Sequence, residues 1–143
     1  MNDIDLSQGL FINDYNTIVR WQISRKEFVL QIPTAEHSIV DFNNINGYSI
    51  QSKLFELPYS FRLTFVFKNE NLQSINIGSE QFIDFDTLSS ELENIFGSPK
   101  VQKRLFSNKG EKKHVWKFDG CRLELFTEFY DGDLRHGLRI IIT

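Results

Sequence analysis

Polar and apolar residues alternate with a period of two over much of this chain, and such alternation is typical of half-buried β-strands. The clearest case is the segment 61–67, in which Phe61, Leu63, Phe65 and Phe67 share one face. Related patterns predict strands at 9–12, 17–23, 39–42, 48–51, 72–77, 101–106, 114–118, 122–129 and 134–142. Turn sequences rich in Asn, Asp and Gly separate them at 13–16, 43–47, 69–71, 108–110, 119–120 and 131–133.

Two segments interrupt the alternation with signals for short helices. Ser24 and Glu27 form a capping box, and Pro33 ends that helix after about two turns. For the second helix Asp86 is the expected N-cap, and a Gly-Ser-Pro sequence at 97–99 follows the apolar stripe and closes it. The chain therefore predicts an α+β fold, with a mainly antiparallel sheet of six or more strands and two short helices on one face.

The two helix signals share one layout. Ser-x-x-Glu with a proline six residues after the Glu occurs at 24–33 and again at 90–99, and strand-like sequence follows each copy. This predicts a helix followed by a meander, used twice, as an internal repeat over 24–77 and 86–142 within one domain spanning 1–143. A chance echo is the open alternative, because alternation makes any two meanders look alike.

Composition narrows the classes of function. The 14 Phe residues favour β-structure, and 16 basic against 19 acidic residues give no general attraction to nucleic acid or membrane. Cys121 is a single cysteine, so an intramolecular disulfide is excluded and a reducing compartment is expected. The acidic N-terminal segment lacks the basic region of a secretory signal, and no apolar run has the length of a membrane span. We therefore expect a soluble cytoplasmic protein.

Catalytic motifs are scarce in the sequence. There is no phosphate-binding glycine loop, no Gly-x-Ser-x-Gly, no His-Glu-x-x-His and no paired cysteine. His114 and His136 fall in predicted strands, where they could form a base or metal pair, and Cys121 could act with His136 as a nucleophile. Half-exposed structural histidines, including His37, and a buried cysteine are the simpler interpretation. We expect no catalytic residue, no metal site and no cofactor.

Charge is unevenly distributed along the chain. No basic residue lies between Lys68 and Lys100, whereas the stretch 100–117 carries seven basic residues against one acid. Acids at a helix start satisfy the helix dipole, and lysines protect sheet edges, so both groups have structural explanations. The acids are also the candidate partner-binding residues: Glu80, Asp84, Asp86, Glu91 and Glu93.

A stacking site for nucleic acid is the competing interpretation of the basic stretch. Trp116 and Phe118 alternate with Lys117 there, and aromatic residues beside lysine can stack single-stranded bases. The net charge of −3 argues against it, and a core tryptophan is the default. We expect no nucleic-acid partner.

Three sequence features together resemble a known class of proteins. They are Asn-Thr-Ile-Val-Arg-Trp at 16–21 leading into Ser-Arg-Lys-Glu at 24–27, Phe-Gly-Ser-Pro at 96–99, and Trp-Lys-Phe at 116–118. With them the chain resembles the small cytoplasmic immunity proteins of bacterial polymorphic toxins and contact-dependent growth inhibition systems. The resemblance implies a stoichiometric inhibitor that neutralises a cognate toxin domain by blocking its active site, with no reaction of its own.

Two other protein groups share the layout of helix followed by meander. It is similar to that of the β-lactamase inhibitor protein and of small outer-membrane assembly lipoproteins, which are exported. Two alternative functions also remain: a small α+β enzyme or ligand-binding domain with a pocket near His114 and His136, or a general protein-interaction module.

Overall fold

The computed structural model of the chain describes residues 5–41, 43–103 and 111–143, apart from the side chains of 39–41 and 130. Within these ranges two α-helices are present, α1 (Arg25–Gln31) and α2 (Phe85–Phe96), and a 3₁₀ turn covers Asn13–Tyr15. The strands are β1 (Gly9–Ile12), β2 (Thr17–Arg20), β3 (Glu36–Asp41), β4 (Ile45–Ser52), β5 (Phe61–Lys68), β6 (Asn71–Ser79), β7 (Lys100–Lys103), β8 (Lys112–Phe118), β9 (Cys121–Tyr130) and β10 (Asp133–Ile142).

Most of the strands belong to one antiparallel sheet. Its order is β3-β4-β5-β6-β10-β9-β8-β7, while β1 and β2 form a separate hairpin. The predicted α+β class with a mainly antiparallel sheet is confirmed. Each half consists of a helix followed by a four-stranded meander, and the last strands of the two meanders, β6 and β10, pair at the centre. Superposition of 24–77 on 86–142 stays a prediction.

The first helix begins and ends where the sequence indicates. The Ser24 hydroxyl oxygen accepts a hydrogen bond from the Glu27 backbone N–H at 3.1 Å. The helix then ends at Gln31, and Pro33 follows two residues later. The predicted Ser24 cap and the proline stop are confirmed for α1, while the reciprocal bond of the capping box, from the Ser24 N–H to the Glu27 carboxylate, stays a prediction.

The second helix begins two residues earlier than expected. Asp84, not Asp86, is the N-cap, because its carboxylate accepts the Thr87 backbone N–H at 2.8 Å and the Thr87 hydroxyl at 3.0 Å. Asp86 lies in the first turn of the helix. With Asp84 as the N-cap, the buried residues Ile83 and Leu88 take the two positions of a hydrophobic staple, directly before the cap and four residues after it.

Several strand boundaries also differ from the prediction; β3, expected to begin at Ile39, begins three residues earlier at Glu36. The turn expected at 43–47 is shorter, since Ile45, Asn46 and Gly47 pair with β5 and extend β4. The strand expected at 17–23 ends at Arg20, whose carbonyl accepts the Ile23 N–H in a turn. The end of the strand expected at 101–106 and the turn expected at 108–110 lie outside the described residues.

Both helices pack on the same face of the sheet. Register places one row of side chains on that face across five strands: Phe65, Ile75, Ile140, Leu123 and Trp116. At one end of this row the Phe28 ring of α1 lies 4.7 Å from the Phe65 ring, centroid to centroid. At the other end Trp116 Nε1 donates to the Gly97 carbonyl, at the end of α2, at 2.7 Å. The expectation of two helices on one face is confirmed, and we call the opposite face the open face.

In the described ranges, neither α1 nor any other helix has the length and apolar character that a bilayer crossing requires.

Candidate functional site

Three large apolar side chains are exposed at one end of the helix-covered face. Phe82 precedes α2 and is 87% exposed, while Leu134 and Phe129 are 48% and 39% exposed. Leu134 and Phe129 are direct cross-strand partners in β10 and β9, so their side chains lie side by side. Phe82 and Leu134 both line one cleft. We call these three residues the apolar cluster.

The segment that presents Phe82 is anchored at several points. The Glu80 N–H donates to the Ser60 carbonyl at 3.0 Å, and the Glu80 carboxylate accepts from Gln51 Nε2 at 2.7 Å. Beyond Phe82, His136 Nε2 donates to the Ile83 carbonyl at 2.6 Å. Fixed neighbours on both sides hold the backbone at Phe82, so this ring is presented to solvent by an ordered segment.

A cleft of about 380 Å³ opens beneath the apolar cluster. Its lining includes Phe82, Ile83, Leu88, Leu134 and His136. Ile83 and Leu88 are both buried and occupy the two positions of a hydrophobic staple, directly before the N-cap and four residues after it. A cleft of this size accommodates one or two large side chains of a partner.

The five acidic candidates do not form one surface. On a helix of 3.6 residues per turn, positions seven apart lie on the same side. Asp84 and Glu91 therefore share one flank of α2, and Asp86 and Glu93 share the other. Glu80 precedes the helix, on the segment that carries Phe82.

Two neighbouring side chains confirm this division. The Tyr59 hydroxyl donates to Glu91 at 2.6 Å, and this bond, together with burial and the charges of Glu91 and Asp84, raises the pKa of Tyr59. On the other flank, burial and the charge of Lys112 lower the pKa of His114, although Glu93 and Asp86 act in the opposite direction.

Three of the five acids have a structural role, and Glu80 is one of them, because its carboxylate accepts from Gln51 Nε2 and anchors the segment that carries Phe82. Asp84 caps α2, and Glu91 is tied to Tyr59 and only partly exposed. Glu80, Asp86 and Glu93 are exposed. Glu80 and Asp86 lie two residues before and four residues after Phe82 in the sequence.

Both histidines of the pocket hypothesis pack edge-on against the Phe85 ring, with distances between ring centroids of 5.0 Å for His114 and 6.2 Å for His136. His114 Nδ1 lies 2.9 Å from the hydroxyl of Ser89, which is buried and therefore offers no accessible nucleophile. His136 holds the Ile83 carbonyl. Each ring thus has a structural partner in the fold.

The remaining reactive candidates lie away from this cleft or are buried. His37 lies in the other half of the sheet, where its ring stacks on Tyr48 with 4.6 Å between centroids and its Nε2 hydrogen-bonds to Asn46 Oδ1 at 2.7 Å. Cys121 is buried, and its burial raises the pKa of the thiol to about 12. Trp116 is also buried, so its ring is not presented for base stacking. Among the residues that the structure describes, no group of three His, Cys, Asp or Glu side chains could hold a metal ion.

The apolar cluster was not identified from the sequence. Its one local signal is at Phe82 and Ile83, two apolar residues where a staple before the cap requires only one. Ile83 fills that position, which leaves Phe82 outside the core. The exposure of Leu134 and Phe129 has no such signal, because both continue the alternation of buried strand residues.

No family model matches the chain, and the search of curated proteins also returns no match. Among solved structures it is similar to a DUF4309 family protein, YjgB, from Bacillus subtilis, with a TM-score of 0.44 and 10% sequence identity. That similarity covers 84% of this chain and 78% of the other. A likeness at this level indicates nothing about what the chain binds.

Proposed function

We propose that the chain is a small immunity-type protein, without catalytic activity, that binds a cognate toxin domain and neutralises it by blocking its active site. The observation that carries this proposal is the exposure of Phe82 on an anchored segment above an apolar cleft. Large aromatic side chains in such positions are the usual anchors of protein interfaces. The sequence resemblance to immunity proteins points to the same class of function.

The anchored segment favours a tight complex. Ordering a mobile loop on binding would cost free energy, and the bonds at Ser60, Gln51 and His136 have already ordered this one. Burial of the Phe82 ring in a partner pocket would contribute about 1.5 to 3 kcal/mol. The ring would act mainly by slowing dissociation.

The exposed acids near Phe82 in the sequence support a partner with a basic surface. Glu80 and Asp86 are exposed and lie on either side of Phe82 in the sequence. They would attract a basic surface and accelerate encounter by electrostatic steering, an effect that salt screens. Toxin domains that act on nucleic acid need a positively charged cleft for phosphate groups, so such a cleft fits both the acids and the apolar anchor.

The test is protection of cells that express the toxin domain encoded next to this chain. The wild-type chain should restore growth, whereas Phe82→Ser should weaken binding about 10-fold to 100-fold and reduce protection. Leu30→Ser is the matched control, because Leu30 is 82% exposed on α1 and outside the cleft. Equal protection by both variants would move the interface elsewhere, and a wild-type chain that binds no toxin domain would refute the proposal.

Charge reversal separates steering from folding. Asp86→Lys should slow association at low salt and have less effect at high salt. Glu80, Asp84 and Glu91 are poor choices for this purpose, since reversal there would also remove the Gln51 bond, the helix cap or the Tyr59 bond.

A further inference from the structure

A buried carboxylate lies on the open face of the sheet, away from the cleft beneath the apolar cluster. Glu124 of β9 is 1% exposed. Its Oε2 accepts from Arg122 Nε at 2.6 Å, and its Oε1 accepts from Arg139 Nε at 2.7 Å. Lys113 Nζ lies 3.7 Å from the same Oε1. Three strands, β8, β9 and β10, thus contribute to one ionic cluster.

The cluster has an excess of positive charge. Three cations surround one carboxylate, so three positive charges minus one negative charge leave a net charge of +2. The cationic side chains are each about one-third exposed, with values from 33% to 38%. Both arginines contact Glu124 through Nε, so the terminal nitrogens of each guanidinium group remain donors for a second acceptor. Glu124 therefore fixes cations that are still accessible to solvent.

A groove of about 340 Å³ adjoins this cluster. Lys113, Phe126 and Arg139 line it, and the Arg139 guanidinium carbon lies 4.3 Å from the centroid of the Phe126 ring. Glu111 and Glu128 also line the groove, with Lys113 and Arg139 as the cations of the open face. Lys112 Nζ lies 4.7 Å from the centroid of the Phe85 ring, so this cation and its cross-strand partner Lys103 belong to the helix-covered side.

We propose that this groove binds a small ligand through an oxyanion, either a phosphate or a carboxylate group, held by Arg139 and Lys113 and packed against Phe126. Arginine suits this role because its planar donors match carboxylate and phosphate geometry. The bond to Glu124 and the contact with Phe126 hold the guanidinium in place before the ligand arrives, which reduces the cost of binding. The site is on the face opposite the helices, so it is independent of the proposed toxin interface.

The experiment titrates the protein with two probes, inorganic pyrophosphate and succinate, at constant ionic strength. Binding is followed by the NMR signals of the arginine Nε–H groups in nitrogen-15-labelled protein. At least one probe should shift the Arg139 signal with one-site saturation. Arg139→Gln removes that signal, so its binding is followed by the Arg122 Nε–H in the same cluster, and the affinity should fall about 10-fold or more, consistent with loss of a charge-assisted hydrogen bond.

Arg62→Gln is the matched control. Arg62 also lies on the open face, but in β5, where it pairs with Glu36 at 3.2 Å. Its replacement should change affinity less than about 2-fold, below the effect of one hydrogen bond. Lys113→Gln is a second test that keeps the Arg139–Glu124 pair, should Arg139→Gln fail to fold as judged by circular dichroism.

The outcomes distinguish the ligand class and the proposal itself. Saturation by pyrophosphate alone indicates a phosphate ligand, and saturation by succinate alone indicates a carboxylate. Shifts that rise without saturation for both probes would overturn the site, as would equal losses in the Arg62→Gln and Arg139→Gln variants. Because the toxin assay uses the other face, failure here leaves the immunity proposal standing.

Discussion

Replacing Glu124 by glutamine removes one negative charge and keeps the size of the side chain. The amide keeps one acceptor oxygen, so one of the two bonds from Arg122 and Arg139 would be made to an uncharged oxygen and the other would be lost where the new NH2 group faces an N–H. The three cations would also lose their counter-charge. Buried bonds of this kind contribute about 1.5 to 3 kcal/mol each. The arginines are one-third exposed, so screening lowers this figure, and relief of the buried charge offsets part of it.

We therefore expect Glu124→Gln to lower the free energy of unfolding by about 2 kcal/mol at neutral pH, or Tm by about 6 °C for a chain of this length. Urea denaturation followed by circular dichroism measures the first value, and a thermal scan measures the second. Glu128→Gln is the control, because Glu128 lies four residues further along the same face of β9 but is exposed. Its effect should stay within about 0.5 kcal/mol.

The pH dependence gives a second check with a defined sign. Burial alone would raise the pKa of Glu124, but the bonds from Arg122 and Arg139 and the charges of Arg139 and Lys113 outweigh it and lower the pKa. A carboxyl with a depressed folded-state pKa stabilises the fold above its unfolded pKa and loses that contribution as pH falls through the folded pKa. The wild type and Glu124→Gln should thus converge in acid. A constant difference at every pH, or none at neutral pH, would refute this account of the cluster.

Two further predictions concern the core. Phe28→Ala should destabilise the fold by about 3 to 5 kcal/mol, because the ring is fully buried against Phe65, Phe67 and Tyr48. Urea denaturation measures this loss, and Leu30→Ala on the same helix is a near-neutral control because Leu30 is exposed. Cys121 should resist a thiol-specific reagent at pH 8 in the native state and react fully in denaturant, because burial raises the pKa of its thiol to about 12. Rapid labelling of the native protein would contradict the described packing.

The fold was largely predictable because its signals are local. Alternation in 61–67, the cap at Ser24 and the stop at Pro33 each act within a few residues, and the structure has the corresponding elements. The end of β2 and the start of β4 were missed because turn bonds and pairing with another strand decide them. Neither is visible in a single segment.

The candidate site was predictable only in part. The sequence identified the acids, but not that helical geometry divides them, with Asp84 capping the helix and Glu91 bound to Tyr59. The exposure of Leu134 depends on where α2 begins above the sheet. The alternation of residues within β10 does not encode that position. The Glu124 cluster was missed for a similar reason, since its cations come from three strands that meet only through sheet register.

The central pairing of β6 with β10 has a consequence for how the chain acquires its structure. Ile75 and Ile140 face each other across that seam, so the middle of the sheet is completed by the strand that leaves the ribosome last among those described. Until then β6 is an open edge with apolar side chains at Ile75 and Ile77, able to pair with another chain. Rapid delivery of β10 to this edge, by the β9–β10 hairpin, is therefore a condition for avoiding aggregation during synthesis.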